Sequence, residues 1–384
     1  MSEGQPLFPE PLHVGRPNIG DREAFLSRVG SMLDRRWFTN NGPLVQQFEH
    51  SVADFIGVKH CVAMCNATVA LEIASQALGL SGEVIVPAFT FVATAHALQW
   101  QGITPVFADI DPGTHNIDPN SVERLITPRT SGIVGVHVWG RACDDAALAH
   151  LAKKHGLKLM YDAAHAFGCS SHNGRLIGGL GDCEVFSFHA TKFLNSFEGG
   201  AVVTNNDALA EKMRLMRNFG FLDFDRVVHL GVNGKMTEIC AAMGLTSLES
   251  VADLIAINRR NYLAYQSNLR GTPGIALIDY PPTEANNYQY VVVQVDPALC
   301  PVGRDELVRH LHANNILARK YFWPGCHRME PYITLQPNAW RHLPVTERVA
   351  QGVMVLPTGQ SVGLDDIAAI CGLIKTMVAH AAAR

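Results

Sequence analysis

The chain has 384 residues, of which 47% are hydrophobic and 17% charged, with a net charge of -4. That length suits a large domain plus a smaller one, and the apolar fraction describes a soluble protein with a sizeable core. The charge leaves no basic footprint for nucleic acid. No apolar run reaches the roughly 18 residues of a membrane span, and Met1 to Pro11 lacks the basic and apolar regions of a signal peptide, so a cytoplasmic enzyme is expected. The nine cysteines are an odd number without a C-x-x-C pair, which predicts reduced thiols rather than disulfides or zinc. His310 and His312 lack a third ligand, so no metal is expected.

The first predicted helix covers Pro17 to Arg35, with Asp21 in its first turn and Ala24, Phe25, Val29, Met32 and Leu33 on one face. Trp37 to Pro43 is a loop. A second amphipathic helix carries Val45, Phe48, Val52, Ala53 and Phe55 and stops at Gly57. A strand from His60 to Cys65 then delivers Asn66-Ala67-Thr68 into a helix ending at Leu78 and Gly79. Free backbone N–H groups at this junction make it a phosphate site, an ordinary cap by Asn66 or Thr68, or both. Glu83 to Pro87 is a strand leading to Phe91 and a helix that reaches Trp100. Phe91 either lies flat against a bound ring or belongs to the core. Strands follow at Pro105–Ala108, Ile133–Val138 and Leu157–Tyr161, with a helix over Ala146–His155. Asp162 stands directly after the last of these strands. A buried carboxylate needs a partner, so Asp162 is a helix cap or a functional acid.

Val185 to Phe188 is a short apolar strand, and Lys192 lies just beyond it. Open α/β sheets bind ligands outside the carboxyl ends of their strands. A lysine held there loses solvation, which favours the neutral amine, and a neutral amine can form a Schiff base. Alone, Lys192 reads more readily as a solvated surface residue. A strand at Ala201–Thr204 and a helix at Ala208–Met216 follow. Arg217 to Asn233 is irregular, and helices cover Met236–Leu254 and Asn258–Leu269. The alternation of strand and helix predicts a parallel sheet of α/β class. No G-x-G-x-x-G follows a strand, so a dinucleotide site has no support. Beyond Gly271 the pattern becomes α+β: a strand at Tyr288–Val295, a helix at Arg304–Asn314 and a closing helix at Leu364–Ala382. The expected division is a large domain over 1–258 and a small one over 259–384.

Asn66 to Thr68, Phe91, Asp162, Ser187 and Lys192 all fall at or just past predicted strand ends of one sheet. Pyridoxal 5'-phosphate needs that set: a phosphate cradle, a stacking ring, an acid on the pyridine nitrogen and a Schiff-base lysine.

The sequence also resembles the sugar aminotransferases of the DegT/DnrJ/EryC1/StrS group, which belong to the aspartate-aminotransferase superfamily (fold type I). The resemblance rests on Ser187–Lys192 (Ser-Phe-His-Ala-Thr-Lys), Glu198–Ala201 (Glu-Gly-Gly-Ala) and Asp162–Ala166 (Asp-Ala-Ala-His-Ala). Within the group, the branch that aminates C4 in desosamine biosynthesis is most similar. That match is carried by Gly15–Asn18, Asn41–Val45, Cys65–Thr68, Asn233–Met236 and Tyr321–His327. The resemblance implies that Lys192 bonds the cofactor and moves the proton, and that Asp162 pairs with the pyridinium. Ala67, Thr68 and Ser187 would hold the phosphate, Phe91 would stack, and His165 would lie near the ring hydroxyl. Asn233 would reach the cofactor phosphate of a neighbouring subunit, so a homodimer is implied. Lys235, where the family more often has arginine, is expected near the nucleotide-sugar, with Tyr321 and His327 lining the sugar site. Family members that have lost transamination carry histidine in place of the lysine; this chain keeps it. The implied reaction moves the amino group of L-glutamate to C4 of a nucleotide-linked 4-keto-6-deoxyhexose. A 3-keto sugar nucleotide, a keto-cyclitol and a non-catalytic regulatory role are the alternatives.

Overall fold

The computed structural model describes residues 5–383. In chain order the first part runs β1 (Leu12–His13), α1 (Arg22–Arg35), α2 (Pro43–Ile56), β2 (His60–Met64), α3 (Ala67–Leu78), β3 (Glu83–Pro87), α4 (Ala93–Gln99), β4 (Thr104–Ala108), α5 (Pro119–Leu125), β5 (Thr130–Val136) and α6 (Asp145–His155). It continues with β6 (Lys158–Asp162), β7 (Cys183–Ser187), β8 (Gly200–Thr204), α7 (Asp207–Met216), α8 (Glu238–Glu249) and α9 (Val251–Leu269). The last part is β9 (Ile275–Leu277), β10 (Val291–Val295), α10 (Arg304–Ala313), β11 (Ile316–Leu317), α11 (Tyr332–Leu335), α12 (Pro344–Gly352), β12 (Val353–Leu356) and α13 (Leu364–Ala382).

The large sheet has the order β2-β8-β7-β6-β5-β3-β4. It is mostly parallel, and β8 is the exception, antiparallel to both β2 and β7. The reason is local. Phe188 to Gly199 is a turn-rich loop without the helix that a parallel crossover uses. Both faces of the strands are apolar, as in buried sheets. Val62, Met64, Val84 and Val86 pack on one face with α3, α4 and α7. Cys61, Ala63, Phe186 and Val203 pack on the other with α2 and α8, and α6 covers Ile133 and Tyr161 beside them. The result is a three-layer α/β/α unit.

The small antiparallel sheet, β12-β10-β9, forms its own core with α9, α10 and α13. A further cluster joins it to the strand ends of the large sheet, through Phe89, Val136, Trp139, Tyr290, Phe322 and Val353. Among the described residues, no single helix is long and apolar enough to cross a membrane.

Three expectations need correction. The first helix begins at Arg22 because Asp21 is its cap, accepting from the N–H of Glu23 and Ala24. The residues before it form a strap in which Asn18 is buried. The long helical stretch after Met236 breaks at Ser250, where α8 and α9 meet at 62°. Because α9 is continuous, the expected 258/259 division falls inside it. The strand predicted from Tyr288 begins only at Val291, since the side chains of Asn286 and Asn287 accept from the N–H of Tyr288 and Gln289 and turn the chain.

Candidate active site

The register of three strands sets one side of the site. Gly200, the first residue of β8, pairs with Met64 at the end of β2 and with Ser187 at the end of β7. The N-terminus of α3 and Ser187 therefore flank it. A Cβ at Gly200 would stand 2.5 Å from the Ala67 nitrogen, so only glycine permits this approach. Asn66 caps α3 by accepting from Val69 N–H at 2.9 Å. The N–H groups of Ala67 and Thr68 then have no protein acceptor among the described residues. Cap and anion cradle coexist, and Ser187, buried, adds a hydroxyl.

Asp162 closes β6 and pairs with Val185 in β7. It is 6% exposed. Its Oδ2 accepts from the Thr94 hydroxyl at 2.8 Å and its Oδ1 from Ala164 N–H at 3.0 Å. The segment beyond is a turn, not a helix, which leaves no helix for the acid to cap. Burial pushes the carboxyl pKa up, against the two hydrogen bonds and the charge of Lys192. Such a group is poised for a cationic partner. Phe91 lies in the turn ahead of α4, from which Thr94 reaches Asp162. At 57% exposed it is not a core residue, so its ring face is available.

Lys192 sits in the loop after β7, its backbone N–H donating to His189 O at 2.8 Å. The N-terminal strap fixes this loop. Asn18 Nδ2 donates to Phe193 O at 3.0 Å, and Asn195 Nδ2 donates back to Asn18 O at 2.9 Å. Gly15, at φ +75°, lets the strap pass Thr191, where a Cβ would meet the carbonyl oxygen at 2.9 Å. The Lys192 side chain is partly buried. Burial draws its pKa down to about 8, against the pull of Asp162. The amine is thus partly neutral near physiological pH, the condition for nucleophilic and general-base work.

His165, 6% exposed, lies in the turn after β6. Its ring is stacked 5.7 Å from Phe322 and 6.0 Å from Trp139. Trp139 N–H donates to His165 Nδ1 at 3.4 Å, which leaves the ring proton on Nε2. Burial, reinforced by Lys192, holds the imidazole pKa well below its usual value, so it is neutral.

The C-terminal candidates separate. Tyr321 is half-buried, 6.3 Å from the ring of Tyr290, whose hydroxyl reaches Lys192. His327 is 2% exposed and pairs with Glu347 at 2.5 Å, facing Phe107 of β4. Asn233 is exposed on the loop between α7 and α8. Lys235 lies beside the end of β2, bridged to Met64, with its amine 3.1 Å from Asn218 Oδ1 in a cleft that also contains Arg214 and Arg217. Sequence reasoning missed Thr94, Trp139, Tyr290 and Phe322.

The residues fit pyridoxal phosphate on the chemistry of the donor set: unpaired N–H groups on a helix N-terminus, a buried carboxylate without a cation bonded to it, and a depressed lysine.

Comparison with known proteins identifies the family. The profile of the DegT/DnrJ/EryC1/StrS aminotransferase family matches residues 20–375. The chain belongs to that family and is an aminotransferase. The dTDP-4-amino-4,6-dideoxy-D-glucose transaminase of Shigella dysenteriae is 38% identical over 366 residues, 95% of this chain and 99% of that one. A GDP-perosamine synthase from Caulobacter vibrioides is 37% identical, covering 90% of this chain and 93% of its own. Among solved structures, DesI in the presence of its TDP-sugar product is 50% identical with a TM-score of 0.93, covering 98% of this chain and 95% of that one. The fold is that of the pyridoxal-phosphate aminotransferases, and a nucleotide-linked sugar is the class of substrate.

Proposed function

We propose that this enzyme moves the amino group of L-glutamate to C4 of a nucleotide-linked 4-keto-6-deoxyhexose, using pyridoxal 5'-phosphate. The observation that carries the reading is Lys192: a lysine with its pKa drawn to about 8, on a loop beside the buried Asp162. When bound, the cofactor supplies an electron sink for the carbanion formed at the substrate carbon. Lys192 would be the residue that holds it. The Lys192 Nζ would take the proton from the donor Cα and, in the return half, deliver a proton to the sugar carbon. Asp162 would keep the cofactor's ring nitrogen protonated, and His165, with its proton on Nε2, would be a hydrogen-bond donor to the ring. Ala67, Thr68 and Ser187 would hold the phosphate, and Phe91 would offer its ring face to the cofactor. Tyr321 lines the sugar site, and Lys235 is offered to the diphosphate.

The working unit is a homodimer. The loop between α7 and α8 exposes Phe219, Leu222, Phe224, Val227 and Leu230, with Phe224 at 99% and Leu230 at 84%. Contiguous apolar exposure of this kind marks an interface. Asn233 on the same loop then contacts the cofactor phosphate of the partner subunit.

The relatives' names favour C4, since one is a 4-amino-4,6-dideoxyglucose transaminase. The test supplies thymidine-diphosphate 4-keto-6-deoxyglucose and its 3-keto isomer separately with L-glutamate and locates the new amine by NMR. Product only from the 3-keto sugar overturns the C4 assignment and leaves the transamination intact.

A further inference from the structure

Tyr290 belongs to neither the cofactor cradle nor the sugar site, yet it touches the lysine. Its hydroxyl lies 3.5 Å from Lys192 Nζ and is, among the described residues, the only hydrogen-bond partner of that amine. The distance is long, as catalytic hydrogen bonds often are before substrate is bound. The ring cannot swing away. It is 6% exposed, edge-on to His165 at 4.6 Å and to Trp139 at 5.3 Å. Its backbone carbonyl accepts from the Tyr280 hydroxyl at 3.0 Å. Next to it, Gln289 Nε2 is buried without a partner of its own.

We infer that Tyr290 is a further catalytic residue, whose hydroxyl docks the Lys192 amine whenever that amine is free of the cofactor. The inference rests on the transaminase reading above. In that reaction the free amine carries a proton twice, so its partner must serve both protonation states. A phenol donates to the lone pair of the neutral amine and accepts from the ammonium. Burial raises the phenol's pKa, so it keeps its proton throughout and none is lost to it. The docked amine stays where the substrate proton arrives, instead of sampling other rotamers. The contact also joins the two parts of the molecule. Lys192 follows β7 of the large sheet, and Tyr290 precedes β10 of the small one. Docking of the small module thus completes the lysine's surroundings.

Tyr290→Phe tests this and retains the ring contacts with His165 and Trp139. The first readout needs no cofactor: trace acetic anhydride labelling of each lysine in the apoprotein, followed by mass spectrometry across pH. The titratable groups facing the amine are Asp162, His165 and Tyr290 itself. Hydrogen bonds to charged groups are the stronger ones, so losing the hydroxyl costs the ammonium more than the amine. Labelling of Lys192 at neutral pH therefore rises by about fivefold, as a fall of about one unit from a pKa of about 8 gives at pH 7, while other lysines are unchanged. The second readout is steady-state kinetics of the holoenzyme: kcat falls and the KM for the amino donor holds. A more reactive lysine in a slower enzyme is the expected pair. Unchanged Lys192 labelling overturns the inference, and a fall in turnover by itself assigns Tyr290 to packing against His165. Failure of the transaminase reading looks different, because the unmodified enzyme then yields no amino sugar from any keto sugar.

Discussion

The Thr94 hydroxyl donates to Oδ2 of Asp162 across 2.8 Å, which ties the first turn of α4 to the end of β6. That bond holds the carboxylate in one orientation inside a closed part of the sheet. It does not neutralise it, so the carboxyl keeps a raised pKa.

Asp162→Asn should therefore separate stability from activity. A charge-assisted hydrogen bond is worth about 1.5–3 kcal/mol, or about one to two decades in rate. The half-reaction with glutamate, followed by loss of the cofactor's visible absorbance, should slow by that factor. Meanwhile the apoprotein should melt no lower than wild type at neutral pH. The folded carboxyl holds its proton to higher pH than the unfolded one, whose pKa is 3.8, so stability falls as pH rises from 3.8 through the folded value. Asparagine has no such penalty. An unchanged half-reaction rate would leave Asp162 as no more than a buried turn residue.

Lys192 gives the opposite sign at the alkaline end. Its pKa falls from 10.5 unfolded to about 8 folded. Between these values the unfolded chain binds more protons, so apoprotein stability rises with pH from about 8 to 10.5. Below about 8 both states are protonated and the slope vanishes. Urea midpoints across this range should show the rise in wild type and lose it in Lys192→Met. An identical slope in both proteins would mean that the amine is solvated.

The loop between α7 and α8 predicts the assembly state. Phe224→Asp combined with Leu230→Glu places charges on two of its most exposed apolar side chains. Sedimentation should shift from dimer to monomer, with weakened binding of pyridoxal phosphate because Asn233 no longer reaches a partner. A variant that remains dimeric and binds the cofactor normally contradicts the shared site.

Much of the site was legible because its first parts are local. Ser187 and Lys192 sit within one loop of a strand end. Asp162 ends an apolar strand, and Asn66 to Thr68 open a helix. Each can be placed at a strand end from periodicity, although taken alone Lys192 also reads as a surface residue and Asn66 as an ordinary cap. The residues that were missed arrive from elsewhere in the chain: Tyr290 is 98 residues from Lys192, and Thr94 is 68 from Asp162. No periodic pattern marks such contacts, since they depend on how two cores dock. Gln-Tyr at 289–290 read as strand because the alternation continues through it. The Asn286 and Asn287 turns that displace it use side-chain bonds to the following N–H groups. His327 stands apart from the other candidates. Its neighbours in Tyr321–His327 resemble a sugar-site motif, but the pairing with Glu347 buries it. The direction of β8 was hidden as well, although the lack of any amphipathic run between Ser187 and Gly200 was an available sign.

The most direct measurement is to reduce the cofactor-bound protein with borohydride, digest it and find which lysine carries the phosphopyridoxyl group. The account predicts Lys192 alone, with the label absent from Lys192→Ala although that variant still binds the cofactor non-covalently. Label on Lys235 or any other lysine, or no label on a protein that binds pyridoxal phosphate, would contradict it.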